Sequence, residues 1–234
     1  MDLPASYYGE LDQKNPVIVC FKRDIRSFTA FMKQSSSQDN TSYAKGIQML
    51  MEIWRKYNHR LPSSFYWEHM LQVADFLFGL KLYQLALWQG YGHHLLQFST
   101  VMITDITDIS HFMASFFPGG FNDDQATMNL KIRSMQGCAL CIFEEEKKLH
   151  TLSQRGLNKL LLVLNFIRIM MQAFQKHKDL YNYIYDGSAH IYNICRYLMT
   201  MKCGAQLGAM IFKRAVFESR RRRPNSMLRR TLKD

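Results

Sequence analysis

The stretch from Ser153 to Met201 constrains this chain more than any other part of it. Its first half carries Leu157, Leu160, Leu161, Val163, Leu164, Phe166, Ile167, Ile169, Met170, Met171 and Phe174. These residues fall within about five helical turns, so the helix is apolar over most of its circumference. Its second half places Leu180, Tyr183, Ile184, Ile191, Ile194, Cys195, Leu198 and Met199 at three- and four-residue spacings, the pattern of a second helix. A helix apolar nearly all round needs neighbours on several sides, and the rest of the chain is expected to supply them.

A membrane span is the rival reading. It requires ~20 mostly apolar residues, whereas the run here is interrupted by Asn165 and Arg168 and closed by Lys176, His177 and Lys178. Arginine at mid-bilayer costs at least ~2.5 kcal/mol, so a buried core helix with one polar edge is preferred and no membrane insertion is expected.

Elsewhere the spacing is also helical. Pro16 opens a helix through Val17, Cys20, Phe21, Ile25, Phe28, Phe31 and Met32, and residues 34–42 form a loop. Asn40 or Thr41 caps a helix to about His59, bearing Tyr43, Ile47, Leu50, Met51, Trp54 and Tyr57. Pro62 precedes a helix to Gly79, and Tyr83 to Phe98 forms the next. A shorter helix covers Asp105 to Phe117 before the breaker Pro118-Gly119-Gly120, and Asn122 or Asp123 caps a long helix to about Leu149. With only 5 Pro and 12 Gly and no sustained period-2 run, the chain reads as all-α. Its antiparallel helix pairs form an α-solenoid-like, tetratricopeptide-like domain. In the stretch Met70 to Ala86, Ala74 is the small residue at a close helix crossing and Tyr83 sits at the turn; Gly90 and His93 then depart from the repeat pattern. The expected organisation is a loosely ordered lead-in over 1–16, a helical domain over 17–203, and a short helix with a basic disordered tail over 204–234.

Charge is uneven. Residues 204–234 hold nine Lys or Arg against Glu218 and Asp234, a net +7, which leaves +4 of the total +11 for the other 203 residues. The basic balance therefore belongs to the tail. Arg220, Arg221, Arg222, Arg223, Arg229 and Arg230 are candidates for gripping an acidic surface such as nucleic acid, anionic lipid or acidic tubulin tails, or for nuclear import. Ser226 follows Arg223 by three residues and is a candidate phosphosite.

Signals of chemistry are weak. Cys138 and Cys141 form a C-x-x-C mid-helix, where packing in the core is the better reading than zinc or redox chemistry. His93 and His94 are adjacent and point about 100° apart; His190 reads as a core or turn histidine. Glu144 and Lys148 are spaced for an i,i+4 pair on a solvated face. No catalytic, cofactor or metal residue is assigned, and an enzyme is not expected. The five cysteines at irregular spacing favour a reduced intracellular compartment, and Met1 to Glu10 lacks the basic start and apolar middle of a secretory leader.

Several long strings then point one way. LPASYYGELD, SYAKGIQMLMEIWRKYNHRLP, LYQLALWQGYG, HFMASFFPGGF, MQGCALCIFEEEKK, LSQRGLNKLL and HIYNICRYLMT together resemble the amino-terminal region of the cilia- and flagella-associated protein 54 family, over about Leu3 to Met201. The resemblance implies a non-catalytic scaffold of the motile-cilium axoneme, in a projection of the central apparatus. It implies roles in cilium assembly, cilium movement and spermatogenesis. The implied partners are other central-apparatus proteins and microtubules, with no small-molecule substrate or cofactor, and the implied location is the cytoplasm, cytoskeleton and cilium axoneme. Family members are many times longer, and from about Gly204 this sequence departs from the pattern. The alternative is a helical protein that binds nucleic acid or another acidic surface through its tail.

Overall fold

Pro16 opens the first helix as its position predicts, with Asn15 Oδ1 accepting from the Val17 N–H at 3.0 Å. The computed structural model describes residues 15–34, 40–149 and 151–201. The described residues form helices α1 (Pro16–Gln34), α2 (Asn40–Tyr57), α3 (Ser63–Gly79), α4 (Tyr83–Ala86), α5 (Gly92–Leu95), α6 (Ile109–Phe116), α7 (Gln125–Lys148), α8 (Gln154–Phe174) and α9 (Tyr181–Thr200). Among them there is no strand, so the fold is all-α. The lead-in over 1–14 and everything after Met201 lie outside the described residues.

The α1–α2 hairpin closes over Phe21, which meets Tyr57 edge-on at 5.1 Å and also approaches Phe65 and Tyr66 of α3. Asp24 ties the same hairpin from outside, accepting from Lys56 Nζ and Tyr57 Oη, each at 2.7 Å. Further along, Trp54 of α2 donates from Nε1 to the Gln89 carbonyl at 3.0 Å.

The helix expected from Tyr83 to Phe98 is not continuous. A π turn, Leu87–Tyr91, joins α4 to α5, and the Gly92 N–H reaches back five residues to the Leu87 carbonyl. One inserted residue shifts the helix face locally. The shift sets Gly90 against Ala74 of α3, where an added methyl would overlap the alanine Cβ. It also sets the Tyr91 ring against Gly137 of α7, where an added Cβ would lie 2.5 Å from the ring. Ala74 is thus at a close crossing as expected, with Gly90 as its partner.

α7, not the α8–α9 pair, is the central helix. It packs against α3, α4, the π turn, α5, α8 and α9. The short helix expected from Asp105 begins instead at Ile109, because Asp108 is its cap and accepts from the His111 N–H at 2.9 Å; Ile103–Asp105 is a separate 3₁₀ turn. α7 is capped by Asp124, which accepts from the Thr127 N–H at 2.9 Å. The expected caps are engaged elsewhere: Asp123 holds Lys131 and Asn122 donates to the Gly119 carbonyl. Ser153 caps α8, accepting from the Gly156 N–H at 3.0 Å.

By length and composition α8 could cross a membrane. Here it packs against α6, α7 and α9. Phe166 and Phe174 join Phe112, Phe116, Phe117 and Phe121 in one aromatic cluster with ring centroids 4.7–6.5 Å apart, a geometry that adds to simple area burial.

The close crossing makes a direct test. Overpacking at such a contact costs about 1–3 kcal/mol, so Gly90→Ala should lower the urea midpoint measurably. Gly79→Ala, at the exposed end of α3 with nothing within 4 Å of the added Cβ, should leave the midpoint unchanged or raise it slightly.

Candidate interaction surface

Buried polar side chains of α7 define what the interior can and cannot do. Lys131 is 3% exposed. Its Nζ donates to the Phe116 carbonyl at 3.0 Å and to Asp123 Oδ2 at 2.5 Å, and it lies 4.2 Å and 4.7 Å from the Phe98 and Phe117 ring centroids. A buried ammonium is tolerated when hydrogen bonds, an opposite charge and aromatic faces replace its water. Lys131 therefore ties the end of α6, the loop before α7 and the segment after α5 to one point.

One turn on, Ser134 Oγ donates to the Leu130 carbonyl at 2.9 Å. It therefore accepts from His94 Nδ1 at 2.7 Å, which fixes the proton on that nitrogen. His94 is also edged by the Trp67 and Phe98 rings, each at 5.3 Å. Burial, then the Lys131 charge and His93, pushes its pKa down to about 4. His93 lies near the Trp67 ring, 6.0 Å away, and the two imidazoles have separate surroundings, as their spacing predicts.

Cys138 and Cys141 are free and buried on one face of α7, in line with the packing reading. Burial raises both thiols, Cys141 to about 12, and a protonated thiol is neither a good nucleophile nor a metal ligand. Glu144 does not pair with Lys148. It meets Lys147 at 3.1 Å, while Lys148 meets Glu145 and donates to the Lys81 carbonyl at 2.6 Å. Lys81 adopts φ 61°, a strained conformation for a residue with a side chain, and this turns its carbonyl into an acceptor for Lys148. Glu146 is not on a solvated face: it is 5% exposed and paired with Lys159 of α8 at 2.6 Å. His190 is neither a core nor a turn residue. It sits mid-helix on α9, half-buried, beside a cleft of about 430 Å³ shared with Glu144, Lys147 and Arg196. Among the described residues, no three His, Cys, Asp or Glu side chains are grouped to hold a metal ion.

The surface instead presents large apolar groups. The π turn exposes Trp88, held by a 3.1 Å hydrogen bond from its Nε1 to Gln84 Oε1, and Leu96 stands exposed beyond it. Trp88 separates a cleft of about 250 Å³, ending at Glu145, Glu146 and Lys159, from a smaller apolar one lined by Leu95, Leu96 and Met102. On α9, Tyr181, Tyr185, Tyr192 and Met199 are exposed. Behind them Ile194 and Leu198 are buried and Ile191 is half-buried. Arg220 to Arg223, Ser226, Arg229 and Arg230 lie outside the described residues. Such aromatic and aliphatic groups suit contact with another protein surface. Lys131 is the residue that sequence reasoning missed. Its spacing from Met128 and Met135, three and four residues, placed it on the core stripe and was the available signal.

Comparison with known proteins adds a second kind of information. The sequence profile of the family described as cilia- and flagella-associated protein 54 matches residues 39–208. The curated protein of that name from Mus musculus is 34% identical over 205 residues, covering 84% of this chain and 6% of the relative. The Homo sapiens protein is 33% identical over 207 residues, covering 84% and 7%. The chain thus spans about 6–7% of the length of these relatives. No solved structure matches it.

The His94 site gives a pH dependence with a definite sign. Its folded pKa of about 4 lies below the unfolded value of about 6.5, so the unfolded chain binds more protons between these values. The stability it contributes is complete above about pH 6.5 and falls as pH drops toward 4, with roughly 2 kcal/mol lost by pH 5. His93 and His190, also lowered chiefly by burial, act in the same direction. The urea midpoint should therefore fall between pH 7 and pH 5, and His94→Asn should flatten that fall. Lys131→Met should raise the His94 pKa, because it removes a neighbouring cation; histidine titration by NMR reads this directly.

Proposed function

The chain belongs to the cilia- and flagella-associated protein 54 family, and on that premise we propose that it is a non-catalytic structural scaffold of the motile-cilium axoneme. Its place is a projection of the central apparatus, where it supports cilium assembly and movement, including in sperm. The observation that carries this reading is the family match over residues 39–208, which runs from the start of α2 to beyond α9. Several features of the molecule support it. Successive helices pack on one another, α1 on α2, α7 on α8 and α8 on α9, and in this reading they belong to one helical-repeat domain over residues 17–203. The ionisable side chains that could have suggested chemistry are bound into packing contacts: His94 on Ser134, Glu146 on Lys159, and two protonated thiols. The surface offers apolar anchors, Trp88 and Leu96 among them. The partners in this reading are other central-apparatus proteins, with Arg220 to Arg223, Arg229 and Arg230 adding an electrostatic grip on acidic tubulin tails that phosphorylation at Ser226 weakens.

Expression of the tagged chain in multiciliated cells tests the proposal. The expected result is signal along the axoneme that survives detergent extraction. A diffuse or purely nuclear signal rejects it. Neutralising the six tail arginines should reduce microtubule co-sedimentation at low salt and leave little difference at high salt; equal binding at all salt concentrations removes the electrostatic part.

A further inference from the structure

The cleft of about 430 Å³ beside His190 runs between α7 and α9. α7 lines it at three- and four-residue steps from Leu140 to Lys147, and α9 does so from His190 to Thr200, so each helix gives it one side. Its floor is aromatic. Phe143 is buried, Tyr197 is half-buried, and the two rings meet edge-on with centroids 5.6 Å apart.

The rim is rich in donors. Two permanent cations, Lys147 and Arg196, stand there against one carboxylate, Glu144. That carboxylate is already engaged, because both its oxygens accept from Lys147 Nζ, at 3.1 and 3.3 Å. Among the described residues, no hydrogen bond or ion pair engages the Arg196 guanidinium or the Asn193 amide. These two lie three residues apart on one side of α9, and both are exposed. Asp186 acts on His190 and does not line the cleft. The positive end is therefore at Arg196 rather than at His190.

A guanidinium presents its N–H donors as a rigid fork that fits a carboxylate bidentately, and an asparagine amide adds two more. The group that completes this rim is an acceptor with one negative charge. A phosphate dianion exceeds the single unit of excess charge, and a nucleic-acid strand calls for a row of cations. The aromatic floor suits a carboxylate carried on methylene groups beside an apolar neighbour. Residues 204–234 carry a net +7, so the carboxylate is to be supplied from elsewhere.

We propose that the α7–α9 cleft seats an acidic segment of a partner protein. One Asp or Glu carboxylate is held by Arg196 and Asn193, and an apolar neighbour rests on Phe143 and Tyr197.

Fluorescence anisotropy with a fluorescein-labelled peptide of alternating glutamate and leucine tests this. The full chain is used with Arg220→Gln, Arg221→Gln, Arg222→Gln, Arg223→Gln, Arg229→Gln and Arg230→Gln, so that the basic tail does not hold the peptide. The peptide should bind, and its counterpart with glutamine for glutamate should bind roughly tenfold more weakly or worse. Arg196→Gln should cause a similar loss and leave the urea midpoint unchanged, since the residue is exposed. Arg196→Lys should recover only part of the binding, because it keeps the charge and loses the fork. No binding up to about 1 mM peptide, where even a weak site fills, overturns the proposal. Equal affinity for the two peptides, or unchanged binding in Arg196→Gln, does the same. Full competition by inorganic phosphate or a thymidine oligonucleotide at the peptide's concentration gives the cleft to a phosphate ligand instead. Binding that appears only when Asp2→Asn, Glu10→Gln and Asp12→Asn are added assigns the cleft to this chain's own acids and rejects the partner.

Discussion

Everything in this fold hangs on how closely three helices approach around Tyr91. Ala74 and Gly90 let α3 meet the π turn almost backbone to backbone, and Gly137 lets the Tyr91 ring lie flat on α7. The ring's hydroxyl donates to Asp75 Oδ1 at 2.5 Å, and Asp75 also pairs with Arg133 of α7. Burial, with help from Asp75, raises the phenol's pKa, so this donor stays in place across the ordinary pH range. Small residues set the distance, and one amphipathic ring fills the space that remains.

The polar interior follows from that arrangement. A central helix with neighbours on nearly every side has no solvated face along much of its length, so the polar residues it carries must find partners inside. Lys131, Ser134 and Glu146 do so with a carbonyl and carboxylate, a histidine, and a lysine respectively. Breaking one such pairing is costly, because the group left behind is desolvated. This is a more specific device than apolar packing alone, since each partner fits one position of α7.

Helix ends with local causes were legible in the sequence. Pro16 and Ser153 start helices where proline and serine favour starts, and Pro118-Gly119-Gly120 ends one. The apolar periodicity of α8 and α9 identified them as a buried pair. What could not be read depended on distant residues. Asp123 and Asp124 are equivalent caps until Lys131 claims the first. The π turn depends on where α3 and α7 lie, and nothing around Leu87–Tyr91 announces it beyond Gly90 and Gly92. The rank of the helices was also hidden: α8 has the stronger apolar signal, but α7 has the central position, because its buried charges mask its burial. For the interaction surface, which residues of α9 stand exposed required the packing: Tyr183 and Tyr185 are two residues apart, yet only Tyr185 is exposed.

The position of α7 has a mechanical consequence. Its 24 residues span about 36 Å, with the α3–α5 elements on one side and α8–α9 on the other. A force that slides those two sides past one another along α7 loads its side-chain contacts together with the Lys148, Glu146 and Arg133 ties. Such contacts must slide together to fail, whereas a hairpin pulled open at one end peels contact by contact.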